Sequence, residues 1–307
     1  MEADDALVFG MLEGDPVVHA RRVVYDPQNP LRPRWFEDTG STAEQVTYVL
    51  NRREGQLLTG EDEPDAIVRA IVARPGVAGC TLKLGPRGAL AAGAAAELVS
   101  VPCYRTDRVW PVGSGDVFAA VTAWGLFGEE VSHGDAALAA SRGVATYCET
   151  GAMPSQPDLL LGKKPFHFRE VRAGDGREGR PPRLYLASPF FAIQDRWLVE
   201  ETRDALEGFG IDVFSPVHEI GPGEASIVAP QDLDGLRKCG IVLALLDALD
   251  PGTLMEIGYA RALNIPVLAY VRGVSTEDLK MIEGSGCSLE RDFTTALYRV
   301  TWDALEA

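Results

Sequence analysis

The chain has 307 residues, 46% of them hydrophobic and 24% charged, with a formal net charge of -16. That balance describes a globular protein with enough apolar residues for two domain cores, and it argues against disorder. The negative charge argues against nucleic-acid and anionic-membrane partners, which would be repelled at long range, but leaves room for a small anion held by backbone N–H groups. The start of the chain, MEADDA, is acidic where a secretory signal is basic, and no apolar run reaches the length of a membrane span. Cys80, Cys103, Cys148, Cys239 and Cys287 are far apart and lack C-x-x-C spacing, and His19, His133, His167 and His218 are scattered. A reduced, cytoplasmic chain without a metal site is expected.

In chain order, residues 23–25 read as a strand closed by the turn residues of Asp26 to Pro30, and Val46 to Leu50 as a second strand reaching Asn51 and Glu54. Residues 63–73 have helical character, 79–85 read as a further strand, and Gly88 to Leu90 as a turn. The alternation predicts a mostly parallel α/β sheet. Next comes Gly113-Ser114-Gly115-Asp116, followed by an apolar stretch to Phe127. Small residues at a helix start let backbone N–H groups converge on an anion, and Asp116 would sit there as a base. The plain alternative is a tight turn capped by Asp116. Residues 151–182 carry three clusters of Gly, Pro and charge without apolar periodicity, which predicts a linker over 161–182, loosest from 173.

Beyond it the alternation resumes. Residues 183–187 read as a strand ending at Ser188, Pro189 and Phe190, 195–209 as a helix, 211–214 as a strand, 221–225 as a loop, and Pro230 as the start of a helix carrying Asp232. Ile241 to Leu246 is a continuous apolar run and reads as a buried strand; residues 266–271 form a fourth, and 296–302 a fifth strand or a closing helix. The expected architecture is a doubly wound parallel sheet, Rossmann-like or flavodoxin-like, with ligands at the carboxyl ends of its strands. There Asp250-Pro251-Gly252-Thr253 leads to Glu256. Thr253 as N-cap and Glu256 three residues on would form a capping box, which explains the pair without chemistry. The alternative is a reactive carboxylate, because Tyr185, Ser188, Asp232 and Asp250 gather at the same strand ends. Cleaving an N-glycosidic bond needs a group that traps positive charge at the anomeric carbon and an acid for the departing base.

Two resemblances sharpen these expectations. Asp26-Pro27, Asn51 with Glu54, Thr59-Gly60, the 81–90 stretch and Gly113 to Asp116 together resemble the C-terminal half of the ribokinase-like (PfkB) sugar and nucleoside kinases. The resemblance implies that Asn51 and Glu54 organise magnesium and phosphate, that Gly113, Ser114 and Gly115 form an anion hole, and that Asp116 is the base. ATP with magnesium is then the candidate ligand. The family's acceptor-binding glycine motif and lid would precede residue 1, and Trp110-Pro111-Val112 departs from the usual Asp-Thr-Thr. A nucleotide-binding or structural role is therefore expected ahead of kinase activity.

The stretches 184–191, 231–233, 247–260 and 265–267 resemble the nucleoside 2-deoxyribosyltransferase family across nearly all of 183–302. That resemblance implies Glu256 as the nucleophile, Asp232 as the acid that protonates the base, Asp250 as the second aspartate of the base site and Tyr185 as the residue orienting the nucleophile. Ser188, Pro189, Phe190, Gly252 and Ser285 would line the substrate, although the serines also suit ordinary turn chemistry. No cofactor is implied for glycosyl transfer. The implied partners are a nucleoside or nucleotide, a free nucleobase and further copies of the chain in a homo-oligomer. Related hydrolases of nucleoside 5'-monophosphates are the alternative. The expected domains are a truncated ribokinase-like domain at 1–160, the linker at 161–182 and a deoxyribosyltransferase-like domain at 183–307.

Overall fold

The computed structural model describes all residues except 12, 13, 15, 96, 173–181 and 248. Its contacts divide the chain into two compact units, Met1–Glu170 and Val171–Ala307. The later part of the expected linker, 173–181, lies outside the described residues.

The first unit is built on a six-stranded sheet in the order β1 (Glu2–Phe9), β2 (His19–Asp26), β3 (Thr42–Asn51), β4 (Val77–Lys83), β5 (Ala89–Gly93) and β6 (Val99–Val101). The first four strands run parallel, and β5 and β6 fold back antiparallel. Two differences from expectation have local causes. β1 was not foreseen because its first half is acidic and exposed. The turn expected over 88–90 ends at Gly88, whose φ of 85° only glycine adopts readily, and Ala89 already pairs with β6.

Helices α1 (Arg52–Thr59) and α2 (Pro64–Val72) follow β3, and α3 (Ser114–Phe127) and α4 (His133–Thr150) pack together. One cluster, with Tyr25, Tyr48, Ile67 and Leu82, fills one side of the core, and another, with Val49, Val117 and Ala140, fills the other. The short β7 (Tyr104–Arg105), α5 (Pro157–Leu160) and β8 (Arg169–Glu170) complete the unit. β8 pairs with β7, which ties residues 169–170 of the expected linker to this unit.

The second unit runs β9 (Leu184–Ala187), α6 (Ile193–Gly208), β10 (Val213–Phe214), α7 (Pro216–Glu219), α8 (Ala225–Arg237), β11 (Ile241–Leu246), α9 (Pro251–Ala262), β12 (Val267–Val271), α10 (Lys280–Gly284), β13 (Ser288–Glu290) and α11 (Phe293–Leu305). Its sheet is wholly parallel in the order β10-β9-β11-β12-β13. Counted from β9 as the first, this is the 2-1-3-4-5 order of flavodoxin-like sheets, whose switch point lies between the first and third strands, here β9 and β11. All six residues of β11 are buried, as a strand covered on both faces requires. Leu198, Leu206, Leu297 and Val300 pack on one face; Leu236, Ile257 and Ala260 pack with Tyr185 and Phe214 on the other.

Here too the chain departs from expectation. The helix expected to open at Pro230 begins at Ala225 and holds the proline as its sixth residue, where the one intrahelical bond that position 230 would make to the Ser226 carbonyl is forgone. The segment 296–302 is helical, because Asp292 caps it through Thr295. The fifth strand is the three-residue β13 before it, too short and polar to show periodicity.

Candidate active site

The start of α9 decides between the two explanations of Glu256. The N-cap is Asp250, not Thr253: Asp250 Oδ2 accepts from the Thr253 backbone N–H at 2.8 Å and from its hydroxyl at 3.0 Å. Pro251 at the first helical position suits that frame, since its missing N–H is one the helix start would leave unpaired. Thr253 is thereby the third helical residue, and Glu256 moves into the second turn, clear of the cap.

Freed from capping, Glu256 turns to β9. The Tyr185 hydroxyl donates to Glu256 Oε1 at 2.6 Å. Tyr185 is fully buried, and its phenol is pushed far up by burial, with the Glu256 charge adding to the effect. It therefore stays protonated and acts as a fixed donor. Glu256 is pushed up to about 7, first by burial; the Tyr185 hydrogen bond pulls it down, and the charges of Asp232 and Asp250 push it up. A carboxylate near half ionisation at neutral pH, aligned by a phenol, can serve as nucleophile or as proton carrier.

Asp232 comes from α8. Its carboxyl is raised by burial, and its Oδ1 is buried without a hydrogen-bond partner. An orphaned carboxyl oxygen beside a second carboxylate is costly unless it holds a proton or meets a ligand. The structure therefore gathers charge around Glu256: it feels Asp232 and Asp250 and is hydrogen-bonded by Tyr185, which feels Asp232 as well. Asp247, at the end of β11, is held apart from this set by a bidentate pair with Arg272, Nε to Oδ1 at 2.8 Å and Nη2 to Oδ2 at 2.5 Å.

The remaining expected residues divide. Ser188, Pro189 and Phe190 are half-buried in the loop leaving β9, where the Phe190 carbonyl accepts from Arg196 Nε at 2.9 Å. Gly252 lies in the first turn of α9, and a Cβ there would stand 3.0 Å from Asp250 Oδ2. Ser285 is not gathered with them. Its hydroxyl donates to the Ile282 carbonyl at 2.7 Å and its own carbonyl is held by Arg261, in the last turn of α9, while Glu256 sits in that helix's first half. That is the turn chemistry its neighbours Gly284 and Gly286 suggest.

In the first unit, Asn51 and Glu54 form a reciprocal capping box at the start of α1, each carrying the other's backbone N–H at 2.9 Å. Gly113 caps α3 with φ of 80°, and Ser114, Gly115 and Asp116 open that helix. The Gln28 side-chain amide donates to Asp116 Oδ1. Asp26, buried at the end of β2, accepts from Lys83 Nζ, at the end of β4, at 2.7 Å. Sequence reading missed this pair because the partners lie 57 residues apart; a charged residue closing each of two apolar strands was the available signal. Among the described residues no group of three or more His, Cys, Asp or Glu side chains is placed to hold a metal ion, and no helix is long and apolar enough to cross a membrane.

Residues 184–290 match the family model described as nucleoside 2-deoxyribosyltransferase. No curated protein matches the chain. Among solved structures, the chain is similar to a 2-deoxyribosyltransferase from Bacillus psychrosaccharolyticus at 29% identity, over 36% of this chain and 88% of that one, with a TM-score of 0.33. It is similar to a PfkB protein from Polaromonas sp. JS666 at 26% identity, over 43% of this chain and 44% of that one, TM-score 0.33. It is also similar to the Arabidopsis thaliana ribokinase complexed with ribose and ATP at 18% identity, over 47% of this chain and 55% of that one, TM-score 0.38. The PfkB and ribokinase likenesses cover the N-terminal part, and the chain spans about half the length of either protein.

Proposed function

We propose, on the premise that residues 184–290 form a nucleoside 2-deoxyribosyltransferase domain, that the chain exchanges nucleobases on a 2-deoxyribosyl group through Glu256. The observation that carries this reading is the Tyr185 to Glu256 hydrogen bond at 2.6 Å, made by a glutamate that helix capping does not use. Ionised Glu256 attacks the anomeric carbon on the face opposite the base. The C–N bond breaks, its electron pair goes to the base nitrogen, and protonated Asp232 supplies the proton, so the base leaves neutral. The sugar is held as an ester on Glu256. A second base attacks the same carbon, gives its N–H proton to Asp232 and releases Glu256, with net retention.

A nucleoside suits this site better than its 5'-monophosphate. Asp250 and ionised Glu256 concentrate negative charge there, and the Arg272 guanidinium is already paired with Asp247. Incubation with deoxyinosine and adenine should yield deoxyadenosine and hypoxanthine, with a pentosyl adduct on Glu256 by mass spectrometry. Base release without exchange, faster from the monophosphate than from the nucleoside, would replace transfer with hydrolysis.

The same reading takes the protein as a homo-oligomer. Phe191, Ile193 and Trp197 are exposed by 75%, 85% and 62% at the carboxyl end of β9 and along the start of α6, an apolar group that a second copy would cover. Light scattering of the purified chain tests this, and a monomer at all concentrations would refute it. For the first unit we infer an anion-binding or scaffolding role. The Gly113 turn leaves no space for a side chain, since a Cβ would meet the Tyr147 hydroxyl at 2.8 Å, and Lys83 Nζ lies near Gly115. These residues fit a phosphate group; magnesium ATP, when bound, would supply one for transfer. Titration calorimetry of the full chain with magnesium ATP checks the assignment, and absence of heat would leave scaffolding.

A further inference from the structure

Phe214 fills the space between Tyr185 and helix α8. It is the register partner of Tyr185 in the neighbouring strand, and the two rings stack with centroids 5.4 Å apart and planes 13° apart. Gly235 of α8 lies against the same ring. A Cβ on this glycine would stand 2.2 Å from Phe214 Cζ, and 2.5 and 2.7 Å from Cε1 and Cε2, distances that no real contact allows. The Arg183 guanidinium, itself anchored by Asp212 and Glu219, sits over the Phe214 ring at 5.1 Å and closes that side. Gly235 follows Asp232 by three residues, which sets both on one face of α8. One ring therefore touches both the aromatic side chain that carries the hydroxyl and the helix that carries the acid.

We propose that Gly235 and Phe214 are positioning residues of the Glu256 site: the glycine seats α8 on the Phe214 ring, and this seat sets the Tyr185 phenol and the reach of Asp232 together. Only the kinetic arm of this inference rests on the transferase reading above. A glycine inside a helix weakens it relative to alanine, so its use here answers a need for close approach. An alanine methyl at 235 would force one of two movements. Either α8 lifts and carries Asp232 away, or the Phe214 ring turns and displaces Tyr185. The titratable groups facing Glu256 are Tyr185, Asp232 and Asp250, so each movement removes one of its controls. Loss of the phenol donor raises the Glu256 midpoint, and withdrawal of the Asp232 charge lowers it.

The test uses the full chain with Gly235→Ala, Phe214→Leu and the double variant. Glu256 ionisation is followed by infrared difference against Glu256→Gln in the same background, and kcat and KM are measured for base exchange. Gly235→Ala is expected to move the Glu256 midpoint and to lower kcat by about tenfold or more, with KM within about twofold. Leucine at 214 lacks the ring atoms that collide, and the alanine methyl fills part of the space it leaves. The double variant should therefore return toward wild type in both readouts. A folded Gly235→Ala protein with an unchanged midpoint overturns the proposal, as does a double variant no closer to wild type than the single. If Gly235→Ala does not fold, Phe214→Leu alone decides: with the seat gone the midpoint must move, and an unmoved midpoint overturns the proposal. A chain that exchanges no bases would silence the kinetic arm in every variant while the titration still reads, so failure of the transferase reading is separable from failure of this one.

Discussion

The Tyr185 hydroxyl donates to Glu256 Oε1 at 2.6 Å, joining a strand and a helix that lie 71 residues apart in the chain. Tyr185 is fully buried and Glu256 half-buried, so the bond forms where water has limited access. It opposes burial in setting the Glu256 ionisation, which otherwise the neighbouring Asp232 and Asp250 would push further up.

Tyr185→Phe removes that donor and leaves the ring. The Glu256 midpoint should rise above about 7, because the interaction that favours the ionised form is lost. Less carboxylate is then present at neutral pH, and its alignment is lost. A hydrogen bond to a charged group contributes about 1.5 to 3 kcal/mol, so kcat should fall by about 10- to 100-fold. Steady-state kinetics with carboxyl infrared titration check this, and a downward midpoint shift would contradict the geometry.

Asp232→Asn has the opposite sign on Glu256. The Asp232 charge helps hold Glu256 up, so its removal should move the Glu256 midpoint below about 7. On the proposed reading activity should fall nonetheless, by about 100-fold or more, since the group proposed to protonate the departing base is gone. The loss should shrink for substrates whose base leaves readily without a proton. A variant with wild-type rates on a poor leaving group would remove Asp232 from the acid role.

How much of this was legible beforehand depends on the length scale of each signal. The buried strand Ile241–Leu246 was plain from its unbroken apolar run, and the α/β alternation from its neighbours. Local competition between caps was not. Thr253 with Glu256 read as the helix start, and only the folded structure shows Asp250, ahead of Pro251, taking the cap. β1 and β13 escaped because acidic or very short strands carry no clean alternation. Tyr185, Asp232 and Glu256 could be named through resemblance, but not the Phe214 ring between Tyr185 and Gly235, since such packing depends on side-chain volumes across three elements.

Glu256 should also cost the fold stability at high pH. Its folded-state value of about 7 lies above the ordinary 4.5, so the native state binds the proton more tightly than the unfolded chain does. Its contribution is therefore fully present below about 4.5 and is lost as pH rises to about 7, by roughly 3 kcal/mol in total. Glu256→Gln keeps an acceptor for Tyr185 without the charge. Urea melts should show the variant more stable than wild type at pH 8, with the difference vanishing below about pH 4.5. Equal stability at both values would mean that Glu256 is not desolvated as the structure has it.

The Asp26 to Lys83 pair in the first unit gives an independent test of that half. Asp26 is 1% exposed, and burial raises its carboxyl while the Lys83 ammonium at 2.7 Å pulls it back. Lys83→Met keeps the stem and removes the charge, stranding a buried carboxylate; breaking a buried pair in this way costs about 3 to 5 kcal/mol. Without the ammonium the Asp26 value rises further, so stability is retained at low pH, where the carboxyl is protonated in both states, and is lost as pH climbs through the folded-state value. The variant should therefore lie closest to wild type in urea below the ordinary aspartate value of 3.8 and fall well below it at pH 8. Adding Asp26→Asn should recover most of the loss, because the amide carries no charge to strand. A Lys83→Met protein as stable as wild type at pH 8 would show that the two strand ends are solvated, and would remove the buried pair from the account of this unit.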